Sequence, residues 1–214
     1  MTESVGLSFD PRCPWCYQTA RWALRLEELG ALELSWSVFC LELHNFEGDR
    51  DDFEPAKSKS GPALRTSVVV RDSLGQAACG RFYAAIGRRY FIDLEDLSLE
   101  ATIRGALDDA ALAPEFYDQA LSDWSSWDTV VADHERVAQE SGGFGVPFFR
   151  LDAGKGPAMF GPVIKEVPSD DEALTLLSHV VWLIRNANFY ELKSGRSQYP
   201  DLPHIKKALA GRRT

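Results

Sequence analysis

The sequence predicts a mixed α/β fold in which an all-helical segment interrupts a small sheet. The apolar run Val5–Phe9 is short and ends at Asp10-Pro11, as a buried strand does before a turn. Helical spacing then runs from Pro14 to Leu29, and residues 32–41 alternate apolar and polar side chains for most of their length, which predicts a second strand. The chain therefore begins with a β-α-β unit.

The middle of the chain shows no convincing strand pattern. Residues 42 to about 61 are polar and irregular and predict a surface loop. The following residues, up to about 124, carry only helical patterns, at residues 63–74, 77–90, 99–111 and 114–121. We therefore expect residues 42–124 to form a loop and a helical insertion.

The last third of the chain predicts the order α-β-β-α. The pattern indicates a helix at residues 125–140, a strand at 146–151, a hairpin partner at 158–160 and a helix at 168–187. Together with the first unit, this is the element order of a thioredoxin fold. We expect residues 1–41 to form its first part and residues 125–214 its second part with a C-terminal tail.

Composition and charge exclude several classes of protein. The 214 residues are 45% hydrophobic and 26% charged, as in an ordinary globular protein, and a formal net charge of −9 argues against nucleic acids or anionic membranes as partners. We find no signal peptide and no apolar run approaching the roughly 18 residues of a membrane span, so we expect a cytoplasmic protein. We assign no function to the basic residues near the C-terminus, Lys206, Lys207, Arg212 and Arg213.

The motif Cys13-Pro14-Trp15-Cys16 carries the chemistry that the sequence predicts. At the start of a helix, Cys13 would be the N-cap, Pro14 the first helical residue and Cys16 the third. Free backbone N–H groups and the helix dipole favour a thiolate at the N-cap. We therefore expect Cys13 to be the more exposed thiol and the nucleophile, and Cys16 to resolve the mixed disulfide that forms on Cys13.

A Cys-x-x-Cys pair alone could equally be half of a zinc site. A four-cysteine site needs a second close pair, whereas Cys40 and Cys79 stand apart and are expected to be buried. The element order also places Val146-Pro147 at the head of the third strand, where thioredoxin folds carry a cis-proline beside the redox cysteines. We therefore predict Cys13, Cys16 and Pro147 as catalytic residues, and no metal ligands.

Several segments resemble one branch of the thioredoxin superfamily. They are Phe9-Asp10-Pro11-Arg12-Cys13-Pro14-Trp15-Cys16, Arg21-Trp22, Asn45, Gly61-Pro62, Phe160-Gly161-Pro162-Val163 and Phe189-Tyr190-Glu191-Leu192-Lys193. On these residues the chain resembles DsbA-like oxidoreductases and, more narrowly, the actinobacterial mycothiol-dependent reductases, also called mycoredoxin-2 or mycothiol-dependent nitroreductases.

The resemblance implies a helical insertion between the second and third strands and a cytosolic reductase. Its disulfide would be reset by a low-molecular-weight thiol, mycothiol, and Trp15 and Asn45 would contact the substrate. The chain departs from the family in two places: residues 53–59 contain no tyrosine, and Val146 precedes the proline where threonine is usual.

The candidate substrate-contact residues are Pro14, Trp15, His44, Asn45 and Val146. We expect His44 to be a loop residue open to solvent, and Trp22, Trp36 and Trp182 to pack in the core. No glycine-rich segment has the spacing of a nucleotide or flavin site, so no bound cofactor is predicted. The predicted partners are the low-molecular-weight thiol and a disulfide or electrophilic small molecule, and a homodimer is compatible with the sequence.

Three alternatives stay open at this point. They are a general DsbA-like dithiol oxidoreductase, an enzyme resembling glutathione transferases or isomerases that does not cycle a disulfide, and a zinc-binding thioredoxin-fold module.

Overall fold

A computed structural model describes residues 2–211 and shows a four-stranded mixed sheet. The strands are β1 (Glu3–Phe9), β2 (Leu32–Val38), β3 (Phe148–Arg150) and β4 (Ala158–Phe160), in the spatial order β2-β1-β3-β4. β1 is parallel to β2 and antiparallel to β3, and β3 is antiparallel to β4. Arg212 and Arg213, which belong to the basic C-terminal end, lie outside the described residues.

Nine helices accompany the sheet within residues 2–211. They are α1 (Pro14–Glu28), α2 (Leu41–His44), α3 (Gly61–Leu74), α4 (Gln76–Phe91), α5 (Glu100–Asp109), α6 (Glu115–Ser122), α7 (Ser125–Glu140), α8 (Asp170–Arg185) and α9 (Pro203–Ala210). α3 to α6 lie between β2 and β3 in the chain and within residues 42–124, so the predicted mixed fold with a helical insertion is confirmed. None of the helices described is long and apolar enough to cross a membrane.

The insertion packs directly on the sheet. Tyr83 of α4 stacks on Phe9 of β1 with ring centroids 3.8 Å apart, and its ring lies 5.6 Å from that of Trp36 on β2. One hydrophobic cluster runs from the strands through α1 into the insertion. The first turn of α1 is therefore held between the sheet and the inserted helices.

Side chains of α4 and α7 also satisfy the open edge of β2. An exposed strand edge leaves backbone N–H groups without partners. Here the Trp36 N–H donates to Gln76 Oε1 at 2.6 Å and the Val38 N–H donates to Asp133 Oδ2 at 3.1 Å. One helix of the insertion, α4, and the helix that follows it, α7, thus complete the sheet edge.

Three sequence expectations are corrected by the structure. The strand predicted for residues 32–41 ends at Val38, because Cys40 becomes the N-cap of α2, and α2 occupies part of the predicted loop. α9 was not predicted, since the contact that holds it is distant in sequence: buried Leu202 packs with Tyr17 and Phe91. Trp22 and Trp36 are buried as expected, but Trp182 is 64% exposed because α8 buries a different face.

Candidate active site

The redox motif begins α1 in the predicted arrangement. Cys13 is the N-cap with extended backbone angles, Pro14 is the first helical residue, and the Cys13 sulfur accepts a hydrogen bond from the Cys16 backbone N–H at 3.3 Å. The Cys13 backbone N–H in turn donates to the Asp10 carbonyl at 3.0 Å, which closes a turn before the helix. The Cys13 sulfur therefore sits at the positive end of the helix dipole.

Both thiols of the motif are free and well covered. Cys13 keeps 4% of its surface exposed and Cys16 none, so Cys13 is less open than the sequence suggested. Burial raises the pKa of the Cys16 thiol well above its usual value, and its hydrogen bond to Cys13 adds to this. Cys16 is thus a protonated thiol behind Cys13, which suits a resolving role but not initial attack.

A buried carboxyl group lies under the motif, at Asp10. Its two oxygens each accept a backbone N–H at 2.7 Å, one from Arg12 and one from Leu41, which is the first residue of α2. The side chain is fully buried, and burial raises its pKa to about 6 although both hydrogen bonds favour the carboxylate. Asp10 also interacts electrostatically with the thiol of Cys16.

Asp10 was not among the site residues predicted from the sequence. The sequence feature that could have marked it is a carboxylate placed directly between an apolar strand and the motif. In the structure, solvent does not reach this position. Tyr83 was also missed, and nothing local marks it. Its buried hydroxyl has no hydrogen-bond partner among the described residues, and burial, followed by the charges of Cys16 and Cys13, raises its pKa well above the usual value.

The segment before β3 lies against the nucleophile. The Val146–Pro147 peptide bond is cis, and the Cys13 thiol points to the Val146 carbonyl oxygen at 4.0 Å, a weak sulfur contact. Both residues are buried, and the Pro147 carbonyl accepts the Gly161 N–H at 2.8 Å. The structure therefore brings the predicted Cys13, Val146 and Pro147 together.

The two candidate residues at the end of α2, His44 and Asn45, have different surroundings. His44 is half-buried, with its ring 5.1 Å from that of Phe39, and it faces the backbone at Gly145. It is therefore not the open loop residue that we expected. Asn45 ends α2 with an exposed side chain that makes no hydrogen bond within residues 2–211.

Trp15 is half-buried, and the C-terminal segment contacts it. The Arg196 guanidinium lies 5.4 Å from its ring centroid and the Tyr199 ring 6.1 Å away. Such cation–π geometry holds an aromatic ring in place without covering it completely. These two contacts could not be read from the sequence, because about 180 residues separate the partners.

Cys40 and Cys79 are free, buried thiols, as expected from the sequence. Burial raises the pKa of each to about 12. Among residues 2–211, no three or more His, Cys, Asp or Glu side chains are grouped so that they could hold a metal ion.

Solved structures of similar fold include two disulfide oxidoreductases. The cytosolic disulfide reductase DsbM of Pseudomonas aeruginosa superposes with a TM-score of 0.60 at 16% identity, covering 84% of this chain and 99% of DsbM. Oxidised Mtb DsbA superposes with a TM-score of 0.52 at 15% identity, covering 98% of this chain and 89% of the other. At such identities the likeness concerns the fold, which is DsbA-like.

The fold and the paired thiols define the class of this protein, which is a thiol–disulfide oxidoreductase of DsbA-like type. The sequence model of the Rv2466c-like family, described as mycothiol-dependent nitroreductase Rv2466c, matches residues 12–194, and the chain belongs to this family. The chain is also 32% identical over 195 residues to an uncharacterised Mycobacterium tuberculosis protein, Rv2286c, covering 91% of this chain and 83% of that protein.

Proposed function

We propose that this protein is a cytoplasmic reductase of small disulfides or electrophiles that cycles the Cys13/Cys16 pair and is reset by mycothiol. The observation that carries the proposal is the geometry of the pair, in which an N-cap sulfur receives the N–H of a buried second cysteine. The description of the family as mycothiol-dependent supports the choice of thiol. DsbM, a cytosolic reductase of similar fold, has been crystallised with glutathione, which supports a small thiol as reductant.

The cycle transfers two electrons in two thiolate attacks. The Cys13 thiolate attacks one sulfur of a disulfide, so that a Cys13–substrate disulfide forms and the other half leaves as a thiolate. The Cys16 thiolate then attacks Cys13, which releases the second thiolate and leaves a Cys13–Cys16 disulfide. Two molecules of mycothiol reduce this disulfide and leave as one molecule of mycothiol disulfide.

The second attack requires that Cys16 lose its proton, and Asp10 is the group that would accept it. Asp10 is buried next to the motif, and its pKa of about 6 means that it is ionised at neutral pH yet more basic than an ordinary aspartate. Because the pKa of Cys16 is raised, proton transfer to a nearby carboxylate lowers the barrier to its attack. Asp10 would then pass this proton to the leaving thiolate.

The surface around Cys13 would bind the substrate. Val146 and Pro147 lie against the nucleophile, and Pro14 and Trp15 form the helix end beside it. His44 and Asn45, at the end of α2, would contribute hydrogen bonds to a polar ligand. An exposed amide such as that of Asn45 suits the hydroxyl-rich sugar groups of mycothiol better than an apolar thiol.

Trapping the mixed disulfide tests the proposal. In Cys16→Ser, a thiol attached to Cys13 cannot be released internally, so incubation with oxidised mycothiol should add the mass of one mycothiol to the peptide that contains Cys13. Cys13→Ser is the matched control and should gain no mass. If oxidised glutathione forms the adduct readily and oxidised mycothiol does not, the mycothiol assignment is wrong and a general dithiol oxidoreductase remains.

A further inference from the structure

A cavity of about 500 Å³ opens beside the redox motif, between Arg12, the end of α4 and α9. Its polar lining consists of Arg12, Lys59, Tyr90, His204 and Lys207, together with Glu95 and Asp96. Because Arg12 directly precedes Cys13, one wall of the cavity is continuous with the backbone that carries the nucleophile. The cavity therefore lies next to the substrate site without being formed by the motif itself.

Side-chain packing holds the wall of the cavity opposite Arg12 close to the redox motif. Leu202, at the start of α9, is buried with Tyr17 from the first turn of α1 and with Phe91. The His204 ring lies 4.1 Å from that of Tyr90, at the end of α4. The cavity is thus bounded by elements that are anchored to α1.

Most of the charged groups in the lining are already paired. Arg12 binds Glu42 at 2.8 Å, and Glu95 binds Arg89, which lies outside the lining, at 2.9 Å. Asp96 accepts hydrogen bonds from the backbone and hydroxyl of Ser98. Within residues 2–211, by contrast, neither Lys59 nor Lys207 forms an ion pair, and both side chains are exposed. The cavity therefore presents two ammonium groups that no carboxylate binds directly.

The positive charges of the lining also shift the pKa values of two other residues that line the cavity. The pKa of Asp96 is lowered, first by its bonds to Ser98 and then by Lys59 and Arg12. The pKa of His204 is also lowered, by burial and then by Lys207 and Arg12. A protein with a net charge of −9 thus places three cationic side chains, Arg12, Lys59 and Lys207, beside Cys13.

We propose that this cavity is a subsite for the carboxylate of a small substrate disulfide whose sulfur is attacked by Cys13. The proposal rests on the dithiol mechanism above and adds a substrate class to it: organic disulfides that carry an anionic group near the sulfur. Lys59 and Lys207 would hold the carboxylate while the Cys13 thiolate attacks. The bonds that form and break are those of the mechanism above.

The test compares two aromatic disulfides in single-turnover mixing with the reduced protein. Dithiobis(nitrobenzoate) carries a carboxylate on each ring, whereas dipyridyl disulfide is uncharged at neutral pH, and both release coloured thiols. The measured quantity is the second-order rate constant for dithiobis(nitrobenzoate) divided by that for dipyridyl disulfide. We expect this ratio to fall roughly two- to fivefold in Lys59→Gln and in Lys207→Gln, the range that one exposed ion pair supports. Added salt should lower the wild-type ratio in the same direction.

Lys57→Gln is the matched control, because Lys57 is two residues from Lys59 but does not line the cavity. It removes the same charge and should leave the ratio unchanged. An equal fall in Lys57→Gln, or no fall in the Lys59 and Lys207 variants, overturns the subsite. If neither disulfide oxidises the wild-type protein, the dithiol mechanism itself is wrong and the subsite fails with it. A reaction with the uncharged disulfide alone leaves the mechanism standing and overturns only the subsite.

Discussion

Asp10→Asn should remove the part of the stability of the reduced protein that falls as the pH rises from about 4 to about 6. The pKa of Asp10 is raised from 3.8 to about 6 by burial, so the folded protein holds this proton more tightly than the unfolded chain does. The stability that protonated Asp10 contributes is therefore fully present below about pH 4 and is lost as the pH rises through about 6. This shift corresponds to a loss of about 3 kcal/mol in the free energy of unfolding.

Asparagine removes this titration but weakens the local hydrogen bonds. Both Asp10 oxygens accept backbone N–H groups, whereas an amide offers one oxygen, so one of the two donors, from Arg12 or Leu41, loses its acceptor. That loss costs about 1–3 kcal/mol at every pH. The variant should therefore be less stable than the wild type near pH 4, and the difference should shrink or reverse by about pH 7.5.

Urea unfolding of both proteins under reducing conditions, repeated from about pH 4 to about pH 7.5, measures this change. Other groups titrate in both proteins and cancel in the comparison. Asp170→Asn is the control. The hydrogen bond with Arg25 lowers the pKa of Asp170, so the stability that Asp170 contributes rises with pH, whereas that of Asp10 falls. A difference between Asp10→Asn and the wild type that stays constant with pH would refute the raised pKa of Asp10.

Two further predictions concern the thiols and one histidine. At neutral pH, alkylation followed by peptide mass mapping should modify Cys13 well before Cys16, Cys40 and Cys79, because burial raises the pKa values of those three thiols. Modification of Cys79 at the rate of Cys13 would contradict its raised pKa. Burial lowers the pKa of His134 to about 4, and its Nδ1 accepts the Cys40 N–H at 3.3 Å. The stability that neutral His134 contributes should therefore be lost as the pH falls from 6.5 towards 4, and over this range His134→Gln should lose at least about 1 kcal/mol less than the wild type by urea unfolding.

Packing in the insertion gives a final mutational test. A Cβ atom added at Gly80 would lie 2.8 Å from Trp36 Nε1 and 3.2 Å from a second ring atom, so Gly80→Ala must displace a buried indole. We expect a loss of about 1–2 kcal/mol despite the better helix propensity of alanine. An unchanged urea midpoint would show that α4 has room to move away from β2.

Local patterns in the sequence were enough to predict the elements that hold the redox pair. The strand before the motif and the helix after it follow from the apolar run of β1 and from the Cys-Pro start of α1, because their signals lie within a few residues. The extra turn at Cys40 could not be predicted in the same way. There the alternating pattern continues, but the Leu41 backbone N–H is bound by Asp10, which lies 31 residues earlier.

The parts of the site that were missed depend on contacts between distant segments. Tyr83 reaches the cysteines only because α4 packs on β1, and Arg196 and Tyr199 reach Trp15 only because the chain returns past α1. No residue type or spacing marks such contacts. Conversely, the exposure of Trp182 shows that an apolar residue at helical spacing is buried only when the facing element covers it.

The chemistry and the selectivity of this site therefore come from different parts of the chain. Residues 10–16 supply the proposed nucleophile, the proposed resolving thiol and the buried carboxyl, and all of them are fixed by β1 and the first turn of α1. The groups that would meet a substrate beyond its sulfur come from three other segments: Lys59 after α2, Val146 before β3 and the C-terminal residues from Arg196 to Lys207. Changes in these three segments should alter which disulfide is accepted while leaving the two thiolate attacks intact.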